Sequence, residues 1–322
     1  MVVTKGQHVG VSRRGVVVGV DDGEAGDAAL RFAAGIATSL DLPVTPTHVY
    51  RVGHGGPETL LLSFGDLQLV ARQTLDGAIE RGRAALATVA EVTPHLRRGH
   101  VGQTLVAEAR GADLLVVGRP DRGGRMALPE CSVTVYVATH ARCPVAVVPT
   151  DGHLDGAAGT LTVAIAAAQF SPPLLHHAFR IARALGLGVR VVHVPSASRV
   201  AKQMRRHAEA ERAAPVRDGA GYPLEQAVGQ AAQLFPGVPA RIDMVEGATG
   251  STLEQLSHSS VMLVAGRHER PRRRGEGGLG TVARHVLRTS VCPVVFVEPG
   301  DRWPAGVPRA GSANLAGAPT GD

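Results

Sequence analysis

Aromatic residues are scarce, six Phe, three Tyr and one Trp in 322 residues. That leaves few of the stacking platforms on which single-strand nucleic-acid binding relies, so no nucleic-acid partner is expected. Cysteine is scarcer still. Cys131, Cys143 and Cys292 form an odd set without CxxC spacing, which argues against a disulfide framework and a zinc site and for a reducing compartment. No apolar run approaches the roughly 18 residues that span a bilayer, and residues 1–8 lack the apolar stretch of a signal peptide. The expectation is a cytoplasmic protein that does not enter a membrane. A GxxxxGK[ST] loop, a GxSxG elbow and an HExxH pair are all missing, so no catalytic residue and no metal ligand is assigned and the chain is not expected to be an enzyme.

What is present is a globular composition, 44% hydrophobic and 19% charged, in a length that fits two domains. The net charge of +6 comes from clustered arginines and gives a modest preference for anions. An internal repeat then sets the organisation. Residues 29–37 match 174–182 and Thr47-His48-Val49 matches Val192-His193-Val194, both 145 apart. Leu114–Gly118 matches Val261–Gly266 at 148, and Cys143-Pro144-Val145 matches Cys292-Pro293-Val294 at 149. A displacement that drifts by four residues over more than a hundred is a duplicated domain.

Each copy reads as strand alternating with helix. In the first, the apolar run 16–20 is a strand buried on both faces, 28–40 a helix stopped by Pro43, and 44–50 a second strand. A long helix over 66–92, a strand over 95–101, a helix over 102–110, a strand over 114–117, a helix over 134–140 and a strand over 145–148 complete it. The second copy repeats this plan from Leu161 to Val297. Such alternation predicts a mainly parallel, doubly wound α/β sheet with right-handed crossovers. Residues 151–159, rich in Gly and Asp, read as a linker, and 299–322 as a disordered tail.

Ligands of a doubly wound sheet bind beyond the carboxyl ends of its strands, where strand order reverses. Asp21 follows the first strand, and Gly118 opens the loop after the fourth. That loop leads to Ser132-Val133 at a helix start, where free N–H groups favour a phosphate, although Ser132 can equally be a simple helix cap.

The residues Val18-Gly19-Val20-Asp21, His48-Val49, Ala112–Gly118 and Cys143–Val148, with their second-copy counterparts, resemble the universal stress protein family in its tandem form. The resemblance covers 13–150 and 160–298. It implies two Rossmann-like domains of the adenine nucleotide alpha hydrolase-like type, each with five mainly parallel strands in the order 3-2-1-4-5, and a non-catalytic stress-response function. It also implies an intramolecular pseudo-dimer paired through the last strands, 145–148 and 294–297. A homodimer and an unidentified protein partner are compatible with it.

For ligands, the resemblance implies an adenine nucleotide, ATP. It would be held by Gly19, Asp21 and Val49 at the nucleoside end and by Gly118, Ser132 and Val133 at the phosphate end. Their second-copy counterparts are Val194, Gly266, Gly280, Thr281 and Val282. The pattern G-x2-G-x9-G-[ST] is degenerate in both copies. Asp121 and Cys131 replace two glycines in the first, where Arg119, Arg122 and Arg125 either turn inward to compensate or are solvated loop arginines. In the second, Glu269 replaces one glycine, and Ala166 stands where the first copy has Asp21. There Arg267, Arg270, Arg272, Arg273 and Arg274 offer a positive field, and Arg272–Arg274 facing Gly280-Thr281 would make an anion pocket, the alternative being a mobile loop pointing into water. The alternative is that both sites are vestigial and the duplicated fold is an interaction scaffold. His48, His193, Cys143 and Cys292 read as structural.

Overall fold

A computed structural model describes residues 15–51, 64–120, 133–152, 159–165, 172–194, 222–267 and 278–298. In the first half these form β1 (Val16–Gly19), α1 (Glu24–Leu40), β2 (Val44–Tyr50), α2 (Phe64–Arg81), α3 (Arg83–Leu86) and β3 (His95–Arg98), followed by α4 (Val101–Glu108), β4 (Leu114–Arg119), α5 (Val133–His140) and β5 (Val145–Pro149). The second half holds β6 (Thr160–Ile165), α6 (Pro172–Leu185), β7 (Gly188–His193), α7 (Tyr222–Leu234), β8 (Ala240–Met244), α8 (Thr249–Ser257), β9 (Met262–Gly266), α9 (Thr281–Thr289) and β10 (Val294–Val297).

Within each half the strand order is the expected 3-2-1-4-5, all parallel. The halves do not form separate sheets. β5 and β10 pair antiparallel, Val145 opposite Phe296, Ala146 opposite Val295 and Val147 opposite Val294, which fuses the strands into one ten-stranded sheet. The register is centred on Ala146 and Val295, equivalent positions in the repeat, so the junction carries the pseudo-two-fold symmetry of the duplication.

Strand residues alternate between two buried faces. Val16, Val18, Val116, Ala146 and Val148 join α1 and α3, and continue into the same core as Val163, Val264, Val295 and α6 of the second half. Val17, Leu115, Val117, Val145 and Val147 face the other way, with α4 and α5 and their counterparts α8 and α9. Both layers cross the junction. At about 25 cal/mol per Å² of apolar surface removed from water, these continuous cores bind the halves into one unit.

Several boundaries depart from the sequence reading, and α1 starts at Glu24 rather than 28. The helix expected over 66–92 is interrupted at Gly82 and ends at Leu86, and Val92 instead bridges to Val44 beside β2; a Cβ on Gly82 would lie 2.5 Å from Leu30 Cδ2, so α1 and the α2–α3 junction meet too closely for a side chain there. The strand expected over 95–101 stops at Arg98, since Gly99 takes φ 147°, a conformation that ends the ladder and lets His100 lead into α4. Cys143 and Cys292 are buried, and burial pushes the Cys292 thiol up to about 11. Both behave as small apolar residues. Most of the 151–159 linker and the 299–322 tail lie outside the described residues.

His177 is 6% exposed, on the α6 helix that also buries Leu174, Leu175, Ala178 and Ile181. Burial, with Arg180 and His176 adding repulsion, pushes its pKa from 6.5 down to about 3. The folded state therefore holds it neutral, while the unfolded chain takes up a proton below about pH 6.5. Its contribution is fully present above that pH and is lost as pH falls toward 3, at up to about 1.4 kcal/mol per pH unit. Glu108, held near 2 by hydrogen bonds from His95 and Arg97, acts only below its ordinary 4.5. Urea unfolding compared at pH 7 and pH 5 is thus expected to show a loss of stability that shrinks in His177→Gln; an unchanged difference would exclude His177 as its source.

Candidate functional site

Strand β1 ends at Gly19, and its neighbours are β2 on one side and β4 on the other. The connections from β1 and β4 leave in opposite directions, so this is the topological switch point of the first half. An open cleft of about 720 Å³ lies there. Its lining brings together Gly19, Asp21, Val49, Gly118 and Val133, five positions singled out in the sequence. Ser132, Asp121, Cys131, Arg122 and Arg125 lie outside the described residues.

The cleft floor is built by close packing. A Cβ on Gly19 would meet Leu105 Cδ1 at 2.9 Å, and one on Gly118 would sit 2.1 Å from the carbonyl oxygen of Ala25. The second is a backbone contact, so Gly118 is what allows the first turn of α1 to rest against the end of β4. The sequence placed Gly118 in a phosphate loop; its first duty is this packing. Val49 is buried at the end of β2. His48 beside it donates from Nδ1 to the Val20 carbonyl at 2.8 Å, and His193 repeats that bond to Ile165 at 2.8 Å. Both histidines thus lock the end of a first strand to a second, a structural role.

Asp21 is exposed at the mouth. Its Oδ1 accepts the Gly23 N–H at 3.1 Å, and Arg81 Nη2 donates to its carbonyl at 3.1 Å while Arg81 Nε binds Asp27 at 2.7 Å. Arg81 thereby ties the end of α2 to the start of α1. Thr47, Thr134 and Thr150 also line the cleft, residues that the sequence reading missed, and Val101, Leu105 and Val117 add apolar surface. For Thr47 a signal existed, its position next to His48-Val49; the others are placed by tertiary packing alone.

Arg119 is a correction. It does not turn into the cleft: Nη1 donates to Leu287 O at 2.7 Å and Nη2 to Ser290 O at 2.5 Å, at the carboxyl end of α9 in the other half. Arg267 mirrors it. Only 3% exposed, it donates from Nη1 to Ala141 O and from Nη2 to Cys143 O, both at 2.5 Å, at the carboxyl end of α5. Arg267 therefore leaves the positive field expected of the second copy. Each guanidinium meets carbonyls at the negative end of a helix dipole across the junction.

In the second half Gly266 ends β9, and Val194 is buried just after β7. Gly280 precedes α9 in extended conformation and donates its N–H to Arg267 O at 2.9 Å, with Thr281 exposed and Val282 half-buried in the first turn. Ala166, Glu269, Arg270 and Arg272–Arg274 lie outside the described residues, and with them the expected anion pocket. No group of three or more His, Cys, Asp or Glu side chains able to hold a metal occurs among the described residues. None of their helices is long and apolar enough to cross a membrane.

A duplicated, doubly wound α/β protein with a cleft at the switch point of its first half is the class defined so far. A model of the universal stress protein family matches residues 12–149 and 159–298, and the chain belongs to that family. It is similar to a universal stress protein of Mycobacterium tuberculosis, 27% identical over 298 residues that cover 89% of this chain and 97% of that one. A universal stress protein of Mycolicibacterium smegmatis is 25% identical over 310 residues, covering 88% and 97%. Among solved structures, a universal stress protein from Archaeoglobus fulgidus superimposes with a TM-score of 0.60 at 14% identity over 88% of this chain and 98% of that one, a likeness of fold.

Proposed function

We propose that the chain is a non-catalytic, cytoplasmic stress-response protein whose first half binds an adenine nucleotide in the cleft between β1 and β4. The second half serves as its paired scaffold. The observation that carries this reading is the cleft itself, whose lining gathers Gly19, Asp21, Val49, Gly118 and Val133. Asp21 takes the ribose hydroxyls, since its exposed carboxylate has acceptor capacity beyond the bond from Gly23. The backbone beside Val49 reads the base, and Val101, Leu105 and Val117 give the ring an apolar surface.

The scaffold role of the second half is favoured by two observations. Ala166 stands in place of Asp21, and Arg267 is committed to the junction. ATP, AMP and adenosine titrated calorimetrically are each a direct test, and heat with at least one is expected. Asp21→Ala is expected to weaken adenosine by about tenfold or more, the worth of a hydrogen bond to a charged group. Silence with all three at millimolar concentration would leave only a scaffold without nucleotide.

A further inference from the structure

The sheet ends at two edge strands, β3 in the first half and β8 in the second. An edge strand leaves one row of N–H and C=O groups unpaired, and its side chains decide whether another strand can use them. On β8 that row can be located. Val189 donates its N–H to Pro239 O at 2.7 Å and Val245 donates to His193 O at 3.0 Å. In the parallel ladder residues 239, 241, 243 and 245 therefore bond toward β7, while Ala240, Ile242 and Met244 direct their backbone groups outward. Among the described residues no strand meets that outer side. Ala240, Arg241 and Met244 are exposed, Met244 at 55%.

The side chains of β8 match their own reverse. When a second copy runs antiparallel with the two-fold axis at Ile242, Ile242 faces Ile242 and Ala240 faces Met244, each pair exchanging both its backbone bonds. Arg241 of each copy then faces Asp243 of the other at the sites without backbone bonds, where side chains stand closest. Arg241 is 62% exposed and 3.7 Å from its own Asp243. Asp243 Oδ2 is held by Arg190 Nε at 2.5 Å, and a carboxylate has acceptor sites beyond that one. Moving the axis by one residue sets Arg241 against Arg241 or Asp243 against Asp243, so only the register centred on Ile242 is attractive. The other edge is the opposite case. β3, with the sequence His-Leu-Arg-Arg, has no carboxylate, and its own reverse sets Arg97 against His95 or against Arg97. Charge closes the β3 edge to a second copy and leaves the β8 edge open to one.

We propose that the chain self-associates through β8, two copies joining antiparallel about a two-fold axis at Ile242 so that the sheet continues from one to the other. The contact is isologous and closes at two copies. A strand of five residues on each side makes a small interface of the weak, concentration-dependent class.

Sedimentation velocity of the full chain at rising concentration is expected to show a monomer giving way to a dimer, weakened several-fold in high salt as the ion pairs are screened. Arg241→Asp sets carboxylates against carboxylates and Asp243→Arg sets cations against cations, so each variant alone is expected to dimerise at least about tenfold more weakly. An equal mixture of the two restores both opposite-charge pairs and is expected to return to within a few-fold of the parent. Circular dichroism checks that Asp243→Arg, which removes the partner of Arg190, stays folded; if it does not, Arg241→Asp alone decides, since it leaves that pair in place. A parent chain that stays monomeric, a dimer that the folded variants do not weaken, folded variants that stay apart when mixed, or growth beyond two copies overturns the proposal.

Discussion

Gly118→Ala is expected to destabilise the protein by about 3 kcal/mol, at the upper end of what overpacking a tight interior costs. The added methyl would lie 2.1 Å from the carbonyl oxygen and 2.4 Å from the carbonyl carbon of Ala25, and neither can swing aside as a side-chain tip would. Strand β4 or the first turn of α1 must move by roughly an ångström. Because that turn carries Asp21's partner Gly23 and lines the cleft with Glu24 and Gly26, the displacement reaches the site and adenosine binding should fall with stability. Gly229→Ala supplies the opposite sign. This residue sits exposed within α7, and a Cβ added there would meet nothing within 4 Å, so Ala should stabilise by up to about 1 kcal/mol through helix propensity. Urea denaturation of both variants checks the pair; a neutral Gly118→Ala would mean that α1 and β4 are not in register as described.

These two glycines mark where the sequence is legible and where it is not. The duplication and the alternation of strand and helix follow from apolar runs at a fixed displacement, which local pattern carries, whereas the strand order and the pairing of 145–148 with 294–297 were implied only by the family resemblance and are borne out by the sheet. Gly118 was visible as a glycine at the end of a strand, yet a loop glycine for a ligand and a packing glycine for a helix look the same until α1 is placed. The 66–92 helix illustrates the same limit, since a lone glycine within a helical pattern does not announce a break, and the close approach of Leu30 that Gly82 permits shows only once α1 is placed. The arginines were least legible. Arg119 and Arg267 stand beside the expected phosphate loops in sequence, and a long side chain at that point can turn either way. What decides is the other half of the molecule, whose helix ends present carbonyls at the junction.

That choice of direction makes Arg267 the most consequential charged residue at the junction. Its two bonds satisfy Ala141 O and Cys143 O, both belonging to buried residues. Arg267→Met keeps much of the apolar stem but removes both donors and the charge facing the α5 terminus. Two acceptors lose their partners, each worth about 1–3 kcal/mol when left buried, while removal of a buried charge recovers part of that cost. A net loss of about 2–4 kcal/mol is expected on these grounds. Arg119→Met should cost less, about 1–2 kcal/mol, because its side chain is only half-buried and water can replace it at Leu287 O and Ser290 O. The consequence reaches beyond stability. Both clasps bridge the halves beside the β5–β10 ladder, whose register spans only three residue pairs, so weakening them should uncouple the halves. In urea, far-UV circular dichroism is expected to show one transition for the parent chain and two for the double variant, as each half unfolds on its own core. A single transition in the double variant, shifted to lower urea, would mean that the continuous apolar layers alone hold the junction and that the clasps only satisfy the helix ends.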